Sequence, residues 1–205
     1  MRNANRPDRP RRRLSRARAL VLALPATLAG VAAADPVGYD IDPSHTYPSF
    51  EADHIGISIW RGKLDRTTGH VTLDRTAGTG TVDLVLDLGS IDFGHGELNA
   101  WARGPQFFDV TTYPTATYKG TLRDFVAGAP TRVDGELSLH GATRPVSLKI
   151  NSFRCIQHPM LKREVCGADA GATFRRDEFG LTAGKEYGFN MDVVLRIQVE
   201  AVAAP

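Results

Sequence analysis

From residue 39 to residue 201, apolar and polar side chains alternate with a period of two in one segment after another. The clearest stretch is 81–88. Val82, Leu84, Leu86 and Leu88 fall on one side and Thr81, Asp83, Val85 and Asp87 on the other. That period belongs to a strand with one buried and one wetted face. Phe50, Ala52 and His54 alternate in the same way, as do Ala116, Tyr118, Gly120 and Leu122. Leu137 and Leu139 continue the pattern, followed by Val146, Leu148 and Ile150, and the last strand sets Val193, Leu195, Ile197 and Val199 on one side. Turns are expected at Arg66–Gly69, Gly78–Gly80 and His140–Pro145. Only Glu97–Arg103 reads as a helix, and it stops before Gly104-Pro105.

Eight to ten strands separated by turn signals predict an all-β domain, either a sandwich or a barrel. Parallel sheets need crossover helices, so the sheet is expected to be antiparallel. Pro48 falls early in the Tyr47–His54 strand and should mark a strand start, an edge or a bulge, because proline donates nothing to the ladder. Tyr47 beside it is expected to add bulk near one end of the interior. If the sheet closes, the apolar faces meet inside, where a small barrel either fills with side chains or holds one ligand. Periodicity leaves both open. The residues expected to line such a pore are Phe50, His54, Val82, Leu84, Leu86, Tyr118, Leu137, Leu139, Leu148, Leu195 and Ile197. Phe107 and Phe108 join them. Two adjacent phenylalanines cannot both point inward from a strand, so on a loop they cap the core or rim the mouth.

The first 34 residues read differently. Arg2 to Arg18 holds eight arginines and one acid, an apolar run spans Ala19–Val31, and Ala32-Ala33-Ala34 follows. A basic start, a short apolar stretch and a small-residue site predict a cleaved secretory signal over 1–34. The run is shorter than the roughly 20 apolar residues of a membrane span. Arg11-Arg12-Arg13-Leu14 partly resembles a twin-arginine signal, so both the general secretory and the twin-arginine route stay open. The domain is then residues 35–205 and its expected location the periplasm. The full chain has 25 basic and 23 acidic residues; without the eight and one of the leader, 17 and 22 remain, net −5. That balance, without basic clusters, argues against nucleic acid as partner and against general adsorption to anionic lipid.

Cys155 and Cys166 are the two cysteines, with ten residues between them. In an exported chain two thiols favour a disulfide over a metal or redox pair, and C-x-x-C spacing is absent. None of the six histidines sits in a tight metal spacing. His54 is expected to be a satisfied, buried histidine, His140 to bond backbone within a turn, and His95 to lie exposed in a loop. No nucleophile motif or phosphate-cradling loop is present, so neither a catalytic residue nor a metal or cofactor is expected, and binding is favoured over catalysis.

Several segments, in order, resemble the YceI-like family of exported, lipocalin-like proteins. They are Ile41-Asp42-Pro43-Ser44-His45 with Phe50 and His54; Gly62 and Gly69; Phe107-Phe108-Asp109 with Tyr113-Pro114; Leu137 through Val146; Cys166 through Ala170; Arg176 through Leu181; and Glu200-Ala201. The resemblance implies an extended eight-stranded antiparallel barrel with one short helix and a long internal pore. It also implies an isoprenoid lipid or prenyl quinone as ligand, carried or buffered in the periplasm. Transient contact with a membrane or a membrane redox protein is compatible with that role, and nothing in the pattern sets an oligomeric state. The competing expectation is a filled-core barrel, without a lipid, acting in stress response or as a redox partner.

Overall fold

A computed structural model describes residues 35–205; the expected signal segment, 1–34, lies outside the described residues. The strands are β1 Val37–Ile41, β2 Tyr47–His54, β3 Ser58–Leu64, β4 Thr67–Asp74, β5 Thr79–Asp87, β6 Ile91–Asp92, β7 Thr115–Arg123, β8 Arg132–Leu139, β9 Ala142–Pro145, β10 Leu148–Gln157, β11 Glu164–Arg175 and β12 Asp192–Ala203. One α-helix, α1, covers Gly96–Arg103.

These segments make eight staves. β1 and β2 lie end to end along β12, Tyr39–Ile41 against Ala203–Ala201 and Tyr47–Ala52 against Gln198–Val193. β4 and β3 repeat that arrangement against β1 and β2, and β5 and β6 repeat it against β4 and β3. β7 and β8 follow singly, β9 and β10 share one stave against β8, and β11 leads back to β12. All pairings are antiparallel and the ring closes through β1 and β12. The predicted eight-stranded antiparallel barrel with one short helix is therefore the observed fold. Closure removes the free edges an open sheet would present.

The breaks within staves have local causes. Between β1 and β2, Asp42 Oδ1 accepts from the Ser44 amide (2.9 Å) and Oδ2 meets His45 Nδ1 (2.7 Å), while Pro43 offers no donor. Pro48 is the second residue of β2, opposite Ile197, which is the strand start its chemistry calls for. Tyr47 faces the outside instead of narrowing the pore: its hydroxyl donates to Ser44 O (2.7 Å) and Lys63 Nζ sits 4.7 Å from its ring.

Three expectations about turns need correction, one being the Gly78–Gly80 turn, which lies at 75–78 with Thr79 and Gly80 already in β5. The β3–β4 bend lies at Asp65-Arg66, and Thr67–Gly69 already belong to β4; Ser90 holds the bend, its carbonyl and hydroxyl taking the amides of Asp65 (3.1 Å) and Arg66 (3.0 Å). The β8–β9 reversal uses only His140 and Gly141, with φ of 50° and 78°, so Ala142–Pro145 are free to form β9. Two left-handed residues complete a tight hairpin whose twist suits the strands. His95 is exposed as expected, but it also caps α1, Nδ1 accepting from the Leu98 amide at 3.2 Å. His140 Nδ1 lies 3.1 Å from Phe179 O, the backbone bond expected of it.

Cys155 and Cys166 are register partners on β10 and β11 and form a disulfide, with Cα atoms 4.0 Å apart. A cross-link closing so short a loop contributes about 2–3 kcal/mol by chain-entropy arguments. Strand direction gives the barrel two distinct ends. The 55–57 and 140–141 turns, α1 with the loop after it, and the β11–β12 connection gather at the α1 end. The 75–78, 124–131 and 158–163 turns lie at the terminal end, with the N-terminus of β1 and the C-terminus of β12.

Candidate functional site

The inward faces of the staves enclose a cavity of about 640 Å³. That is within the range of small-molecule sites. Its wall is almost entirely carbon. Val82, Leu84 and Leu86 of β5, Leu137 and Leu139 of β8, Leu148 of β10, and Leu195 and Ile197 of β12 form the shaft, with Phe50 of β2 and Tyr118 of β7. Each stave contributes through the alternation that made it a strand, because a wall with water outside and a cavity inside must be written with period two.

Tyr118 of β7 lies across the neighbouring stave β8, its ring over Gly135. A Cβ on Gly135 would sit 2.4 Å from the Tyr118 hydroxyl oxygen, so only glycine leaves room for the ring. The hydroxyl then reaches Val146 O at 2.8 Å, and burial pushes its pKa well up.

At the terminal end the shaft is shut. Tyr39, Leu73 and Leu122 are buried there, and Pro130 from the 124–131 loop is fully buried. The Tyr39 hydroxyl donates to Glu164 Oε1 at 2.5 Å, and Glu164 Oε2 also takes Arg75 at 3.1 Å. Burial first, and the Glu164 hydrogen bond second, push the Tyr39 pKa up to about 12. Glu164 stands beside the disulfide, Cys166 Sγ lying 4.0 Å from Oε1, but both sulfurs are used in the S–S bond and offer no thiolate to a metal.

The α1 end is the mouth. Trp60, Trp101 and Tyr187 all line the cavity, yet they are 37%, 40% and 76% exposed. Phe107 and Phe108 follow α1 in the loop and line the cavity beneath it. Their rings meet at 4.7 Å, and Phe107 stacks on Trp101 at 5.2 Å. Of the two places open to this pair, cap and rim, the structure uses both: Phe108 is buried and Phe107 is only partly covered.

Twelve of the thirteen predicted liners reach the cavity. The exception is His54, and its placement is a correction. It has the same parity as Phe50 and Ala52 but is the last residue of β2, where the chain turns. There its ring stacks on Trp60 at 4.1 Å and meets Phe189 edge-on at 5.1 Å. Trp60 and Phe189 are the groups that line the cavity, and the imidazole sits against them, half-buried.

Several liners escaped the sequence pattern. Trp60 alternates with isoleucines that look equally apolar, so parity alone does not pick it out. Thr67 lines the cavity at 0% exposure, and its hydroxyl has no hydrogen-bond partner among the described residues. Arg176, in the 3₁₀ turn Arg176–Phe179, is 7% exposed and also lines the wall. Its Nη1 donates to Leu181 O (2.6 Å) and Nη2 to Ala183 O (2.7 Å). Burial lowers its pKa and nearby Asp177 partly offsets that.

The YceI-like domain family matches residues 39–201, which run from the middle of β1 nearly to the end of β12. The chain belongs to the YceI-like family. A UPF0312 protein of Pseudomonas putida (strain W619) is 27% identical over 185 residues, covering 90% of this chain and 95% of the relative. One of Vibrio parahaemolyticus is 31% identical over 132 residues, covering 64% and 68%. Among solved structures, Burkholderia cenocepacia BcnA superposes with a TM-score of 0.63 at 20% identity, covering 78% of this chain and 98% of that one. A polyisoprenoid binding domain from Saccharophagus degradans, implicated in plant cell wall breakdown, gives a TM-score of 0.60 at 20% identity, covering 82% and 99%. This YceI-like chain thus shares the barrel of those two solved structures along nearly their whole length. Its cavity and mouth, by contrast, are described by its own residues.

Proposed function

We propose that this YceI-like protein binds the hydrocarbon tail of an isoprenoid lipid or prenyl quinone inside the barrel and acts as a periplasmic carrier or buffer rather than as an enzyme. The observation that carries this is the cavity of about 640 Å³ walled by aliphatic and aromatic side chains and closed at one end. Such a wall recognises an apolar chain along its length with few polar contacts. Each buried CH₂ contributes about 0.8 kcal/mol, so several isoprene units offset the cost of association. The polyisoprenoid binding domain of Saccharophagus degradans shares the fold and lends the ligand class support. A filled-core barrel would have no such space.

Export to the periplasm is supported by the arginine-rich start, the apolar run and the alanine site of residues 1–34, and by a disulfide of the kind that persists in oxidising compartments. Contact with a membrane, or with a redox protein in it, is supported by the exposed Ile55, Ile57 and Ile59 beside the mouth. The test is native mass spectrometry of the purified protein before and after incubation with a prenyl quinone. The expected result is one bound lipid per chain. Protein that arrives empty and takes up no prenyl compound contradicts the proposal.

A further inference from the structure

We propose that the β2–β3 hairpin tip and the aromatic rim beside it seat the mouth of the barrel on a lipid bilayer, held there by apolar insertion and not by charge. The proposal rests on the tail-binding reading above and specifies the surface through which the ligand is exchanged and the phase it meets.

The tip suits an apolar phase. From Ile55 to Trp60 the chain carries no charged residue. Ile55, Ile57 and Ile59 are all exposed, Ile57 to 76%, and none of the three lines the cavity. Ile55 has a φ of 49°, a left-handed conformation that a β-branched side chain rarely adopts. Glycine or asparagine occupies it at much lower cost. The neighbours hold it there: both Asp53 carboxylate oxygens take the Gly56 amide (2.9 and 3.1 Å), and the Ile57 amide donates to His54 O at 3.0 Å. The tip is thus a fixed, uncharged prong whose isoleucines neither pack inward nor ease the turn. Strain retained at an exposed apolar residue points to a contact made outside the chain.

The place of the prong identifies that contact. Trp60, Trp101 and Tyr187 surround the opening next to it, side chains of the kind that settle at a membrane–water boundary. The shaft opens through that same ring. An isoprenoid tail crossing water between a bilayer and the shaft would expose its whole apolar length, so exchange requires the opening to meet hydrocarbon directly. Met160 and Leu161 are also exposed, at the terminal end, but Tyr39, Leu73, Leu122 and Pro130 shut the shaft there. The net charge of −5 over residues 35–205 supplies no general attraction to anionic lipid. Burial of the isoleucines and rim aromatics is then the driving force. A protein partner would cover the same isoleucines but would offer the tail no hydrocarbon, so the bilayer ranks first.

The test uses phosphatidylcholine vesicles with brominated acyl chains. Both tryptophans of the chain stand at the mouth, so quenching of their fluorescence reports insertion of that end. The wild type should be quenched saturably, with partitioning equal within about twofold in low and high salt, and on zwitterionic and anionic vesicles. Ile57→Asp should weaken partitioning at least about tenfold. Met160→Asp, the same kind of change at the closed end, should leave it within about twofold. If Ile57→Asp does not fold, Ile57→Ser makes the same comparison. In parallel, without vesicles, all the proteins should take up a short-tailed prenyl quinone from solution with affinities within about twofold of one another. No quenching, quenching that salt abolishes or that only anionic vesicles produce, quenching indifferent to Ile57→Asp, or an equal loss in Met160→Asp overturns the bilayer contact and leaves the tail reading standing. Loss of uptake from solution in Ile57→Asp places the tip in the ligand site and overturns its role as a separate contact. A wild type that enters vesicles but takes up no prenyl quinone overturns the tail reading and leaves the membrane contact standing.

Discussion

At the terminal end of the barrel Tyr39, Leu73 and Leu122 are buried, Pro130 covers them, and a disulfide and the Tyr39–Glu164–Arg75 contacts tie β1, β4, β10 and β11 together. At the α1 end the same cavity is lined by Trp60, Trp101 and Tyr187, which are open to water, and by an irregular connection held by Arg176 and Asp177. One end has regular strands, cross-links and satisfied polar groups. The other has short 3₁₀ turns and aromatic surface left uncovered. On the proposed function, the closed end supplies stability and the open end admits the ligand. Substitutions at the two ends should therefore separate in what they change.

The largest effect is expected midway between the ends. Leu84→Trp puts an indole into the shaft at a half-buried liner. Prenyl uptake should fall at least about tenfold, measured by probe displacement. Because the ring enters empty space, the midpoint of thermal unfolding should change less than the overpacking cost of about 1–3 kcal/mol would imply. Next in size, replacing both Cys155 and Cys166 with serine should cost about 2–3 kcal/mol in urea unfolding while leaving uptake within a factor of about two. A comparable loss of uptake would mean that the closed end also takes part in binding.

The two ends should also separate by pH. The Tyr39 pKa is raised to about 12 from 10, so its share of stability is complete below pH 10 and disappears as the pH rises through 12. Asp177 is the opposite case. Its hydrogen bonds from Lys185 and then Arg175 hold its carboxyl down at about 2, against an ordinary value of 3.8. Its share is complete above pH 3.8 and is lost as the pH falls towards 2. Hydrogen exchange should thus show the β1 and β11 strands loosening in alkali, and the 176–187 connection loosening in acid. Exchange that rises uniformly in both directions would break the comparison. The smallest effect concerns Thr67. Thr67→Val removes a buried hydroxyl without a partner at nearly constant shape, and should stabilise the fold by about 1 kcal/mol without weakening tail uptake.

How much of this was legible in the sequence follows the same division. The shaft was readable because Leu84 or Leu195 can be assigned a face from its neighbours two residues away, and a stave that separates water from a cavity repeats that assignment along its length. The ends carry no such repeat. Trp60 was hidden behind Ile57 and Ile59, equally apolar and of the opposite parity, and the bend at Asp65-Arg66 is set by Ser90, more than twenty residues distant. Arg176 sits in a 3₁₀ turn with no periodicity, and no local signal states that an arginine will be buried. The His54 assignment had the right face but the wrong depth, since period two says nothing of where a strand stops.

Both tryptophans of the chain, Trp60 and Trp101, stand at the mouth and line the cavity. Titration with a prenyl quinone while intrinsic tryptophan fluorescence is followed therefore tests the central claim directly. The account predicts saturable quenching at one quinone per chain, abolished by Leu84→Trp after correction for the added indole and much weakened for a quinone without its tail. Quenching that does not saturate, or that is equal for tailed and tailless quinones, would contradict a tail-filled shaft.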